Sequence, residues 1–81
     1  MDISVIIPTL NEAATIGDTL RRLRSSGSCE VIVVDGGSDD GTPELVRPQA
    51  DIVLSAERGR ASQMNVGARA ASGQVLLFLH A

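Results

Sequence analysis

Three carboxylates, three glycines and a serine fall within Asp35–Gly41, directly after the apolar run Val31–Val34. A carboxylate in the place of Asp35 can accept hydrogen bonds from the N–H or hydroxyl groups of a base or ribose. It cannot hold phosphate without a metal between them. Arg58 and Arg60 could offset diphosphate charge, although an arginine at a helix start is as readily explained as a solvated side chain. Thr9, Asn11 and Glu12 form a further polar group after the first apolar run, and His80 follows the last. A plain turn accounts for the glycines of the second loop, since glycine takes positive φ and aspartate caps helices. A calcium loop is excluded. Counting from Asp35 puts Asp40 sixth and Val46 twelfth, where an EF-hand needs Gly and Glu. The first run leads into Pro8-Thr9-Leu10-Asn11-Glu12 with no glycine, so neither a P-loop nor the usual dinucleotide-binding turn is present.

Positioning these residues is the task of four short apolar runs: Ile3–Ile7 stopped by Pro8, Val31–Val34, Ile52–Leu54, and Val75–Leu79. Runs one, two and four are nearly continuous in aliphatic residues, which predicts strands covered on both faces, as in a parallel sheet. The intervening segments predict helices. Glu12–Arg24 carries a stripe of Ala13, Ile16, Leu20 and Leu23, with Asn11 as N-cap and Gly27 beyond its end. Pro43 opens a short helix after Thr42 that closes before Pro48, with Asp40 helping to cap it. Ala61–Ala71 places Met64, Ala68 and Ala71 on one face and ends at Gly73. Met64 reads as a core residue rather than a site residue. The order predicts an α/β fold of repeated βαβ units with right-handed crossovers. Ligands of such sheets lie beyond the carboxyl ends of the strands, where the polar clusters collect.

Composition narrows the classes. The chain has 81 residues, and a chain of that size buries only about 60% of its unfolded surface. Its single cysteine, Cys29, makes no internal bridge, fits a reducing compartment and reads as a small strand-start residue. Net charge is −3, every basic residue is arginine, and Phe78 is the one aromatic. No nucleic-acid partner is expected from that pattern. Met1-Asp2 opens directly into strand-like sequence, so no targeting signal is read, and no apolar run is long enough to span a bilayer. A cytoplasmic protein is expected, with a membrane-associated full-length form left open.

Three blocks carry a resemblance. Val5-Ile6-Ile7-Pro8-Thr9-Leu10-Asn11-Glu12, Val31–Thr42 with its Asp35-Gly36-Gly37-Ser38, and Arg58–Ala68 resemble family 2 glycosyltransferases of the GT-A fold, over almost the whole chain. The resemblance implies that Pro8, Thr9 and Glu12 line a nucleotide pocket, that Asp35 contacts the base, typically uracil, with Ser38 nearby, and that Arg60 approaches the diphosphate or sugar. It makes Asn65 and Gly67 structural, packing the third helix on the sheet. The common pattern has a second Asp where Gly36 stands and Thr where Asp39 stands, so base and sugar preference stay open. Phe78-Leu79-His80-Ala81 resembles the lead-in to the family's metal-binding acidic motif, and a metal-ligand role for His80 is the minor reading.

The implied reaction is transfer of a sugar from a nucleotide-diphosphate sugar, with UDP-sugars favoured, to an acceptor hydroxyl, assisted by Mg²⁺ or Mn²⁺ in the full-length enzyme. Residues 1–81 would be the N-terminal nucleotide-sugar-binding part, stopping short of the acidic motif and inactive alone. The exposed sheet edge this leaves would favour self-association. The alternative is a non-catalytic nucleotide-binding or regulatory α/β module. A receiver-type domain with Asp35 as phosphoacceptor would want a lysine late in the chain, and the chain has none.

Overall fold

The apolar runs form strands and the amphipathic segments between them form helices. In order they are β1 (Ile3–Thr9), α1 (Ile16–Ser25), β2 (Glu30–Asp35), α2 (Thr42–Val46), β3 (Ile52–Ser55), α3 (Arg60–Ala70) and β4 (Val75–Phe78). The computed structural model describes residues 2–80. Met1, from which the N-terminal expectation starts, and Ala81, which closes the fourth-strand block, lie outside the described residues. The strands make one sheet in the order β3-β2-β1-β4, every pairing parallel.

One face of the sheet (Val5, Ile7, Val31, Val33) packs under α1 and α2 through Ile16, Leu20 and Val46. The other face (Ile6, Ile32, Val34) packs under Val66, Ala68 and Ala71 from α3 and the turn after it. Each such side chain, fully buried, contributes about 1.5–3 kcal/mol. Gly67 sets how close α3 comes: a Cβ there would stand 2.5 Å from Ile6 Cγ2 and 3.0 Å from Val34 Cγ2. The packing role of Gly67 is therefore real, whereas Asn65 faces solvent and packs nothing against the sheet.

Three other expectations change. The central strands β1 and β2 are covered on both faces, but β4 is not: Val75, Leu77 and Phe78 are each 50% exposed. As the outermost strand beside β1, it lies outside α3, whose packing is on β1, β2 and β3. Pro8 does not stop β1, which continues through Thr9 in register with Asp35. The β1–β4 ladder has already ended at Ile6↔Phe78, so the N–H that proline lacks breaks no pairing there. Finally, α1 starts at Ile16 rather than Glu12, with Thr15 at its N-cap. The N–H groups of Asn11, Glu12 and Ala13 are taken by side-chain oxygens of Ser38, Thr42 and Asp40, at 2.8, 3.0 and 3.0 Å. Asn11 itself sits at φ 54, the left-handed region that asparagine tolerates.

The amino ends of the strands carry a buried polar cluster with no counterpart in the sequence expectations. Glu30 accepts from Ser4 Oγ at 2.7 Å, from Ser72 N at 2.9 Å and from Ser72 Oγ at 3.0 Å. Gly73 N donates to Ser4 Oγ at 2.9 Å, which fastens the α3–β4 connection under β1 and β2. Arg24 ties the same end from α1, donating to Cys29 O, Gln49 O and Asp51. Cys29 is buried one residue before β2.

Candidate functional site

The chain goes outward from β1 through α1, β2, α2 and β3, then returns through α3 on the opposite face to place β4 on the other side of β1. The sheet therefore has its topological switch point between β1 and β4, where α/β sheets of this kind bind ligands beyond the carboxyl ends of the strands. A cleft of about 210 Å³ lies there, lined by Pro8, Arg60, Met64, Phe78, Leu79 and His80. It runs into a shallower depression shared with Thr9, Leu10, Glu12 and Gln63. Met64, expected in the core, is half-buried and forms part of this wall.

Of the six residues expected at a site, Pro8, Thr9, Glu12 and Arg60 come together around the cleft and depression. Pro8 and Thr9 arrive because β1 extends past its apolar run, Glu12 because the following loop is held by the second one, and Arg60 because it opens α3. The Arg60 side chain is exposed, and Nη2 meets His80 Nδ1 at 3.0 Å. Guanidinium only donates, so Nδ1 is the acceptor and the imidazole proton of that pair lies on Nε2. Arg58 points to solvent two residues before α3.

Asp35 and Ser38 meet each other rather than the cleft. Asp35 is 3% exposed. Its Oδ1 accepts from Thr9 Oγ1 at 2.8 Å and Ser38 Oγ at 2.6 Å, and its Oδ2 from Gly37 N at 3.0 Å and Ser38 N at 2.7 Å. Burial alone would raise this carboxyl, but the hydrogen bonds from Ser38, Thr9 and Gly37 outweigh it and hold the group below the ordinary aspartate range. In this arrangement Asp35 shapes the loop and joins it to β1. Asp40 does similar work at the rim, accepting from Thr42 and from Ala13 N, and those bonds lower its pKa. The expected help at the start of α2 is present, although Gly41 is the N-cap residue.

A residue near the site that sequence reasoning left without a role is Gln63, 4% exposed on the sheet side of α3. Nε2 donates to Thr9 O at 2.9 Å and Val34 O at 2.8 Å, and Oε1 accepts from Gly59 N at 3.2 Å. The available signal was its spacing: Gln63 stands four residues before Gly67, on the face that must meet the sheet.

The sequence profile described as "Glycosyl transferase family 2" matches residues 4–81. The chain belongs to this family. Among curated members, it is 41% identical over 59 residues to glycosyltransferase AglJ of Haloferax volcanii, covering 72% of this chain and 20% of that protein. It is 38% identical to glycosyltransferase AglE of the same organism, covering 95% and 29%. It is 40% identical to validoxylamine A glucosyltransferase of Streptomyces hygroscopicus, covering 95% and 21%. The chain thus spans under a third of the length of these glycosyltransferase family 2 relatives. Among solved structures, glucosyl-3-phosphoglycerate synthase from Mycobacterium tuberculosis superposes with a TM-score of 0.84 at 28% identity, over 96% of this chain and 32% of that one. That enzyme was crystallised with Mn²⁺, UDP and glucosyl-3-phosphoglycerate. The parallel four-stranded sheet flanked by helices is the N-terminal portion of the family's GT-A fold.

Proposed function

We propose that this chain forms the nucleotide-binding wall of an enzyme that transfers a sugar from a nucleotide-diphosphate sugar, with UDP as the favoured carrier, to an acceptor hydroxyl. The observation that carries the reading is the cleft at the β1–β4 switch point, where Pro8, Thr9, Glu12 and Arg60 converge. The UDP and Mn²⁺ in the mycobacterial enzyme support the ligand class. In this reading Arg60 offers charge to the diphosphate or sugar, Pro8, Thr9 and Glu12 line the pocket, and Asp35 with Ser38 shapes the base-side loop from beneath.

Among the described residues no group of three or more His, Cys, Asp or Glu comes together to hold a metal ion. The divalent ion expected in the full-length enzyme would need ligands from outside this set. The 81-residue chain alone is therefore expected to transfer no sugar and to bind UDP weakly, with little response to Mn²⁺. Titration calorimetry with UDP, with and without Mn²⁺, tests this. Arg60→Ala should weaken binding roughly tenfold, about 1.4 kcal/mol, and Arg58→Ala far less. Equal binding of UDP and ADP would refute the uracil preference, and measurable sugar transfer by the chain alone would refute its inactivity.

The exposed β4 edge supports self-association of this chain as part of the same reading. No helix among the described residues is long and apolar enough to cross a membrane. The lone buried thiol of Cys29 is in keeping with a cytoplasmic location.

A further inference from the structure

Gln63 and Gly36 occupy one space. A Cβ on Gly36 would stand 2.7 Å from Gln63 Oε1, 2.9 Å from Cδ and 3.1 Å from Nε2. The amide could move aside only by leaving its partners, and all of them are backbone groups: Thr9 O at the end of β1, Val34 O near the end of β2, and Gly59 N at the start of α3. Carbonyls cannot donate, so the amide orientation is fixed by chemistry, with Nε2 toward the two strands and Oε1 toward Gly59. Thr9 O also accepts from Gly36 N at 2.9 Å. One side chain thereby joins β1, β2 and the helix that carries Arg60, directly beneath the loop that Asp35 organises.

We propose that Gln63 is a positioning residue for nucleotide binding and that Gly36 is its required partner, the two acting as one coupled unit that fixes the Asp35–Ser38 loop relative to Arg60. Both N–H groups of the Gln63 amide are committed to backbone carbonyls. It acts through the strand ends and through Gly59. A side chain at 36, such as the second aspartate of the common family pattern, cannot coexist with a glutamine at 63 held this way. Residue 36 and residue 63 therefore change together. The inference rests on the nucleotide-binding reading for its ligand and on the backbone bonds of Gln63 for its mechanism.

The test uses the intact protein, amide hydrogen exchange, thermal melting and UDP titration at a temperature well below every variant's melting point. Gln63→Met keeps the length of the side chain and removes its amide. It should speed exchange at Gly37, Ser38 and Gly59 by tenfold or more and weaken UDP binding severalfold. Gly36→Ala alone should do the same and lower the melting temperature. Gly36→Ala combined with Gln63→Ala should melt no lower than Gln63→Ala alone, because the new methyl fills the vacated space, yet UDP affinity should stay low because the loop is no longer tied to α3. Unchanged exchange at Gly37 and Ser38 in Gln63→Met, additive melting losses in the double variant, or wild-type affinity in a folded Gln63→Met protein would each overturn the proposal. Should Gln63→Met not fold, native-state exchange of the wild-type protein decides, since coupling requires Gly37, Ser38 and Gly59 to open together under mild denaturant. If the wild-type protein fails to bind UDP, the proposed function fails, while the exchange and melting results still judge the coupled pair.

Discussion

At the scale of single residues, Asp35 and Glu30 are carboxylates held by hydrogen bonds within the fold. Asp35 receives four hydrogen bonds inside the fold. Asp35→Ala should destabilise the protein by at least about 2 kcal/mol in chemical denaturation, because two backbone N–H groups lose a charged acceptor. Glu30 is held low by the Ser72 backbone N–H, then by Ser4 and the Ser72 hydroxyl. Both carboxyls thus have folded pKa values below their unfolded ones, which are about 3.9 for Asp and about 4.3 for Glu. The folded state binds fewer protons, so their contribution is complete only above about pH 5, shrinks as pH falls through the unfolded values and is gone below the folded ones. Urea midpoints measured from pH 7 downward should stay level and then begin to fall below about pH 5, and Glu30→Gln should flatten that fall. Gly67→Ala places a methyl against Ile6 and Val34 and should cost about 1–3 kcal/mol by the same measurement. The chemistry of Asp35 was legible in sequence as a carboxylate at a strand end. Whether its lone pairs face inward or outward was not, because that depends on Thr9, which is distant in sequence and adjacent only through parallel pairing.

At the scale of elements, strands were read more accurately than helix starts. Aliphatic runs mark β1, β2 and β3 without help from distant residues. The start of α1 is set instead by a neighbouring loop, since Ser38, Asp40 and Thr42 bind the N–H groups that a helix beginning at Glu12 would have left for capping. Local pattern cannot report such a competition. Thr42→Val removes the oxygen facing Glu12 N and should raise amide exchange at Glu12, with a loss of about 1 kcal/mol. The dense polar loop after β2 is thus largely a fastener for the loop after β1, which explains why so many aspartates lie near the cleft without lining it.

At the scale of the whole molecule, the unequal covering of the sheet matters most. The apolar β4 run matched the pattern of a buried strand because periodicity records composition and not position in the sheet. Its order in the sheet leaves Val75, Leu76, Leu77 and Phe78 accessible. Light scattering of the 81-residue chain should show association rising with concentration, and Leu77→Lys should reduce it. A monomer at high concentration would count against the edge as a contact.

The same strand order has a consequence for synthesis on the ribosome. β1 is made first and its partner β2 is complete by Asp35, but its second neighbour begins only at Val75. At about 5–20 residues per second, the roughly 40 residues between the end of β2 and β4 take a few seconds to appear. Through that interval β1 has one side without a partner, and among the described strands it is flanked on both sides only once β4 has appeared.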